Sequence, residues 1–462
     1  MPLAPPSSDS FGSLPASQYR PTKNLRQMGL APFIAVLFGY CTGGPFALES
    51  MISGSGPGLA LTFLMVVPLL LAVPISLATA EMTTIMPVEG GFYRWSRAAL
   101  GDFWGFQCGW WNWTGTFLMS AAYGVTMADY FDYWFPLHSR IEHWAVAVAL
   151  LMLVAYLNVR GVHVVGNLTL VLLLIMAVPL LVFVVLGFHR AQFNPFHPFL
   201  PTGKPWQGAY GIGLAIALWT YAGYEQLSTV IEEVENPERN FPIGLAIVIP
   251  LSIAGYVLTL TAGLSALGNW QDWETGYLVT AGRLIGGNGL GTGVFVASAI
   301  GTFVLLDSTL LSVTRLPLTM AEDGYFHPAL GKVSARFGTP VRSILLSAAL
   351  CSVLALFTVP QLIAVYAWTR MATSVQTMLS FWQFRRKYPD APRSFRAPGG
   401  KLGALIMVIA PTLLFTWAMI YSDAGTRKWG LLNLASGPVA YLWIHHRSRE
   451  KLARQPDNVV AE

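Results

Sequence analysis

Five ionisable residues of this 462-residue chain, Glu49, Asp129, Glu225, Asp307 and Arg370, lie inside long apolar stretches. A charge at the centre of a membrane helix costs about 2.5–3.5 kcal/mol, so each is a candidate for holding a charged ligand, carrying a proton or pairing internally. Two of them follow interruptions. Glu49 lies one turn beyond Thr42-Gly43-Gly44-Pro45, and Glu225 directly follows Thr220-Tyr221-Ala222-Gly223-Tyr224. Glycines, and a proline without an amide hydrogen, make an uninterrupted helix improbable at both places. Amides left unpaired at the N-terminal end of a half-helix attract a carboxylate, while carbonyls on the opposite stump attract an ammonium or a cation. The expected chemistry is capture of a zwitterion or a polyamine by Thr42, Gly43 and Gly44 from the first break and Tyr221, Ala222, Gly223, Tyr224 and Glu225 from the second.

Within that site Glu225 is expected to face a substrate ammonium. Asp307, beside Ser308, is the candidate proton carrier or cation ligand, and Glu49 a further coupling group. Desolvation favours the protonated form of a carboxyl, which would let such a group load and release a proton near neutral pH. The alternative for these acids is an internal ion pair with Arg370. The acidic run Glu232–Glu238 could likewise pair with basic loops or simply be solvated.

Other chemistries find no starting constellation. There is no HExxH or GxSxG, and the glycine-rich stretch Gly286–Gly293 has neither a GxGxxG nor a Walker pattern, so no enzyme, nucleotide-driven pump or cofactor is expected. His189 and His197 lack carboxylate or thiol neighbours and suggest no metal. Three cysteines, Cys41, Cys108 and Cys351, all in apolar stretches, read as buried thiols. The net charge of +5 sits in short loops and does not point to nucleic acid.

The elements that must position these groups are membrane spans. At 54% hydrophobic and 11% charged residues the chain is far more apolar than a soluble domain. Leu168–Phe188 alone is long enough to cross a bilayer, which takes about 20 residues. Apolar blocks predict twelve spans at about 30–52, 58–81, 103–133, 143–160, 164–188, 208–231, 242–267, 290–315, 341–358, 361–383, 402–422 and 429–446. With that count, 21 of the 28 Lys and Arg residues fall on the face that carries both termini and 6 on the other, the remaining one being Arg370. Both termini are therefore expected in the cytoplasm. The Pro- and Ser-rich start reads as a disordered tail. In the run Trp104, Trp110, Trp111 and Trp113 an interfacial belt accounts for Trp104 and two more, and Gly101, Gly105 and Gly109 read as a close-packing stripe.

From Gly43 to Ala222 is 179 residues, and each break is followed by four further spans. Matched breaks in two halves are the pattern of inverted repeats whose first helices meet at the bilayer midplane. The motifs agree. Thr42-Gly43-Gly44-Pro45-Phe46 with Glu49, and Pro87-Val88-Glu89-Gly90-Gly91-Phe92-Tyr93, are joined by Asn158-Val159-Arg160-Gly161 and by Gly223-Tyr224-Glu225. Further along come the run Glu232-Glu233-Val234-Glu235-Asn236-Pro237-Glu238-Arg239, then Arg315 with Ala321-Glu322-Asp323-Gly324, and Phe384–Asp390 before Arg396-Ala397-Pro398. Over about residues 25–445 the chain resembles the amino acid–polyamine–organocation transporters. The Gly-Gly-Pro-Phe of the first span and Asp102-Phe103-Trp104-Gly105-Phe106-Gln107 look nearest to the polyamine-uptake branch, although Tyr224-Glu225 stands where that branch has a tryptophan-acid pair.

The resemblance implies an all-α integral membrane protein of 12 transmembrane helices, two inverted five-helix repeats in a LeuT-like 5+5 arrangement plus two C-terminal helices. The expected divisions are a cytoplasmic tail at 1–25, repeats at 26–200 and 201–390, two spans within 391–446, and a second tail at 447–462. It implies a secondary active transporter in the plasma membrane, moving amino acids or polyamines by alternating access, with protons as the coupling partner. An exchanger, or a non-transporting receptor on the same scaffold, is the alternative. Tyr221 is the aromatic expected to close over the substrate as a thin gate. The span-5 lysine that couples protons in some relatives has no counterpart here, because Val164–Phe188 contains no lysine.

Overall fold

The computed structural model describes residues 27–201, 206–357, 359–420 and 424–453. The tail expected over 1–25 and most of that expected over 447–462 lie outside the described residues. The described residues form α-helices and short 3₁₀ turns, with a single isolated β-bridge between Met28 and Val234. In order the helices are α1 (Leu30–Cys41), α2 (Glu49–Ser55), α3 (Pro57–Leu70), α4 (Ala72–Ile85), α5 (Phe92–Leu100), α6 (Asp102–Trp134), α7 (Arg140–Arg160) and α8 (Val162–His189). They continue with α9 (Trp206–Thr220), α10 (Pro237–Leu267), α11 (Tyr277–Val313), α12 (Arg315–Glu322), α13 (Val341–Leu354), α14 (Val359–Lys387), α15 (Gly400–Ile420) and α16 (Ala424–Ala453).

Among the described residues six helical segments are long and apolar enough to cross a membrane: Pro57–Ile85, Arg140–Arg160, Val162–His189, Pro237–Leu267, Tyr277–Glu322 and Gly400–Ile420. Leu30–Cys41 and Val341–Leu354 are apolar but shorter. Their outward faces are lined by large hydrophobic side chains, among them Leu174, Val178, Leu181 and Val185 on α8 and Leu402 and Leu413 on α15. A surface of that kind is stable against lipid tails and not against water. The chain is a multi-pass membrane protein.

Each of the twelve apolar blocks coincides with a helix or a broken pair, with informative differences at three boundaries. The block placed at 290–315 is preceded by a further helical stretch from Tyr277, and at Gly287, φ 78°, the backbone leaves the helical region, so α11 is two helices joined across a kink just ahead of the expected start. After the second interruption the chain runs as a 3₁₀ segment, Gln226–Glu233, where an α-helical continuation was expected. The last helix reaches Ala453, beyond the expected end at 446.

α1 lies against α8, α10 and α11, while α2 packs on α9. Further round, α14 packs along α6 with α5 and α16 beside it. Thus the two broken segments sit inside a wall of longer helices.

Candidate functional site

The first break runs from Thr42 to Leu48. The Thr42 amide closes the last turn of α1 by donating to the Phe38 carbonyl (2.7 Å), and its Oγ1 accepts from the Gly44 amide (3.1 Å). Gly44, at φ 93°, takes a conformation that a side chain would strain, and Ala47 accepts one at φ 67°. Gly301 of α11 is the counterpart that makes this loop fit, since a Cβ there would lie 1.9 Å from the Gly43 carbonyl oxygen. The second break, Tyr221–Glu225, turns at Gly223 with φ 123°. A Cβ on Gly223 would come within 3.0 Å of the Tyr40 ring of α1 and 3.9 Å of Arg370 Nη2. Sequence-distant breaks are therefore neighbours in space, joined through Tyr40, Cys41 and Gly223.

Glu225 is 1% exposed and Arg370, on α14, 4% exposed. Arg370 Nη2 lies 2.9 Å from Glu225 Oε1, which also accepts a hydrogen bond from Ser374 Oγ at 2.7 Å. The Arg–Glu contact is an ion pair by distance but is out of line for a hydrogen bond. Nε, Nη1 and Nη2 of Arg370 and Oε2 of Glu225 are buried and make no hydrogen bond among the described residues. Of the two roles considered for Glu225, the internal pair is the one seen. At the break the Tyr221 hydroxyl donates to the Leu64 carbonyl (2.7 Å), and its ring meets that of Tyr256 edge to face at 5.6 Å, while Tyr224 is fully buried.

The coupling candidates occupy other positions. Asp307 is buried on α11, where Asn158 Nδ2 donates to its Oδ1 at 2.8 Å. Asp307 Oδ2 and Ser308 Oγ make no hydrogen bond. A Cβ on Gly39 of α1 would lie 3.1 Å from Ser308 Oγ, so Ser308 faces α1 about one turn from the break. Glu49 begins α2 and accepts a long hydrogen bond from the Leu278 amide (3.4 Å), with Oε2 unbonded. Asp129 is exposed and sits 2.8 Å from His143 Nε2.

The comparisons with known proteins agree with this architecture. A profile described as amino acid permease matches residues 29–444. The chain belongs to that family. Polyamine transporter RMV1 of Arabidopsis thaliana is 31% identical over 428 residues, covering 92% of this chain and 86% of the relative. Polyamine transporter PUT1 of Oryza sativa subsp. japonica is 28% identical over 439 residues, 94% and 80% of the two chains. An uncharacterized transporter of Mycobacterium tuberculosis is 28% identical over 339 residues, 72% and 74%. Family and relatives make the chain a transporter.

Seen as an amino acid permease, the motifs outside the breaks gather at one end of the bundle. The Gly90 amide donates to the Thr229 carbonyl, the Phe92 amide to Ser228 Oγ, and the Glu89 amide to Glu232. Glu233 pairs with Arg315 through Nε (2.6 Å) and Nη2 (3.0 Å), and both side chains are buried. The Met28 amide donates to the Glu233 carbonyl, and the Met28 carbonyl accepts from the Glu235 amide. Nearby, Asp323 takes Arg97 (3.0 Å) and the Tyr93 hydroxyl (2.7 Å). Burial, reinforced by the Asp323 carboxylate, holds the Tyr93 phenol well above its ordinary range, so it stays a donor at physiological pH. Glu81 accepts from Arg385, from Arg393 and from the Ala397 amide. The acidic run is thus partly paired, and the tryptophans are more than a belt. Trp110 donates to Ser436 and Trp111 to the Leu434 carbonyl, leaving Trp104 the exposed one. Gly105 and Gly109 let α6 approach Arg97 and Tyr93 of α5. Sequence reasoning missed Ser374 and Glu81. Ser374 lies four residues after Arg370, the spacing of one helix face, which was the available signal.

Proposed function

We propose that this amino acid permease is a secondary active transporter that moves amino acids or polyamines by alternating access, coupled to protons as a symporter. One observation carries the reading: two interrupted helices meet around a buried ion pair whose remaining donors and acceptor are unspent. A channel needs no such closed, two-sided centre. In this reading the chain holds twelve spans, as two inverted five-helix units and a C-terminal pair, in the plasma membrane with both termini cytoplasmic. Substrate docks between Thr42–Gly44 and Tyr221–Glu225, with Glu225 toward its ammonium. Tyr221 exchanges its Leu64 contact for closure over the substrate. Asp307, with Ser308 beside it, carries the proton, and Glu49 assists from the far side of the first break. The ion-paired end at Glu81, Glu233 and Asp323 is then the cytoplasmic closure, which must part for release. Relatives named as polyamine transporters support the substrate range.

The test is uptake into liposomes holding the purified protein. Putrescine, spermidine, arginine and neutral amino acids are offered with and without an inward proton gradient. Gradient-stimulated uptake, lost in Asp307→Asn, is expected. Uptake indifferent to the gradient overturns symport, and uptake that instead requires substrate inside the vesicle identifies an exchanger. Binding without any uptake makes the protein a receptor.

A further inference from the structure

We propose that Arg370 sets the charge selectivity of the central site, making it a site for zwitterions and rejecting polycations. The inference rests on the transport reading only for where the substrate binds. Among the described residues Glu225 is the one carboxylate at the meeting of the two breaks, and Arg370 already stands 2.9 Å from it. The remaining titratable groups facing the guanidinium are Tyr366, Tyr40 and Cys41, whose ordinary forms at neutral pH are uncharged. The centre is therefore neutral overall. Asp307 and Glu49 do not change this, because Asp307 is bonded to Asn158 and Glu49 to the Leu278 amide, each against other elements.

A polyamine carries only donors and positive charge. Placed here it would confront the guanidinium with a like charge and leave its donors unanswered. A zwitterion answers both halves. Arg370 presents Nε and Nη1 without hydrogen bonds in a buried setting, with Nη2 held by Glu225, so two charged donors are left for a carboxylate. Glu225 presents the free Oε2 to an ammonium. Gly223 lies beside the guanidinium, since a Cβ there would be 3.9 Å from Nη2, in ordinary contact. Ser374, one turn from Arg370, holds Glu225 Oε1 so that Oε2 is the oxygen left for the ligand.

The test is ligand-induced thermal stabilisation of the full-length, detergent-purified protein, which needs no transport, followed by uptake in liposomes. Wild type should be stabilised by a neutral or cationic α-amino acid and not by spermidine. In Arg370→Gln, affinity for the amino acid should fall by roughly tenfold or more, the loss of a charge-assisted pair, while spermidine gains. Arg370→Lys should keep the wild-type order of ligands. If Arg370→Gln does not fold, the neutral double variant Glu225→Gln/Arg370→Gln decides: it should lose amino acid affinity without gaining spermidine. Spermidine stabilising wild type as strongly as amino acids, or an unchanged ligand order in the glutamine variants, overturns the assignment. Selective binding without uptake sinks the transport reading and leaves the selectivity of Arg370 standing, whereas wild-type uptake of polycations does the reverse.

Discussion

Asn158 supplies the side-chain hydrogen bond that Asp307 accepts, 2.8 Å from its Oδ1, in a fully buried place. Asn158→Ala would leave a carboxyl oxygen without that donor, at a cost of about 1–3 kcal/mol. A lower melting temperature in detergent is expected, and no change would mean that another donor serves Asp307. This residue pair also marks how far single residues could be read. Intramembrane acids announce themselves by their setting, and so did Glu49, Glu225 and Asp307. Arg370 was open as a partner to any of them, and which acid takes it was not legible. Arg370 lies 145 positions from Glu225, and nothing local in either stretch says that α14 passes the second break. Pairing is decided by tertiary packing, which the apolar pattern does not encode.

At the scale of elements, glycines record where helices approach. Gly301 lets α11 touch the first break at the Gly43 carbonyl, so Gly301→Ala must push backbone against backbone. The expected result is a protein that folds less stably, by about 1–3 kcal/mol for an overpacked contact, and that loses substrate-induced stabilisation more than it loses stability. Gly287 makes the contrast. Its Cβ would meet open space, and only its φ of 78° resists a side chain, so Gly287→Ala should cost about 1 kcal/mol and leave ligand response intact. Both breaks were legible because Gly-Gly-Pro and Ala-Gly cannot continue a helix comfortably. The same logic holds at Gly286-Gly287-Asn288-Gly289, where Gly287 leaves the helical region and divides α11 at a kink just ahead of the expected start at 290. The 3₁₀ form of Gln226–Glu233 was hidden, since Thr229 and Ser228 spend their hydroxyls on Ser312 and on the Phe92 amide, partners far away in sequence.

Across the whole molecule, the motifs that looked scattered along the chain become one ion-paired end. Glu81 anchors it. It is buried, and Glu81→Ala would strand Arg385 and Arg393, themselves largely buried, at a cost of about 3–5 kcal/mol. Hydrogen exchange should then accelerate in Pro57–Ile85 and in residues 385–401 together, whereas exchange confined to one segment would show that the anchor is local. The cations that the sequence placed at this end were read as topology markers, and several of them also form its ion pairs with Glu81, Glu233 and Asp323. The pairing of Glu225 with Arg370 reaches further, into electrical behaviour. Two opposite charges that travel together contribute nothing to current, so the membrane voltage acts only on the passengers. A zwitterion moving with one proton carries one elementary charge, worth about 2.3 kcal/mol per 100 mV. Uptake into liposomes should therefore rise with an inside-negative potassium diffusion potential at constant pH, and one-for-one exchange of zwitterions should ignore it.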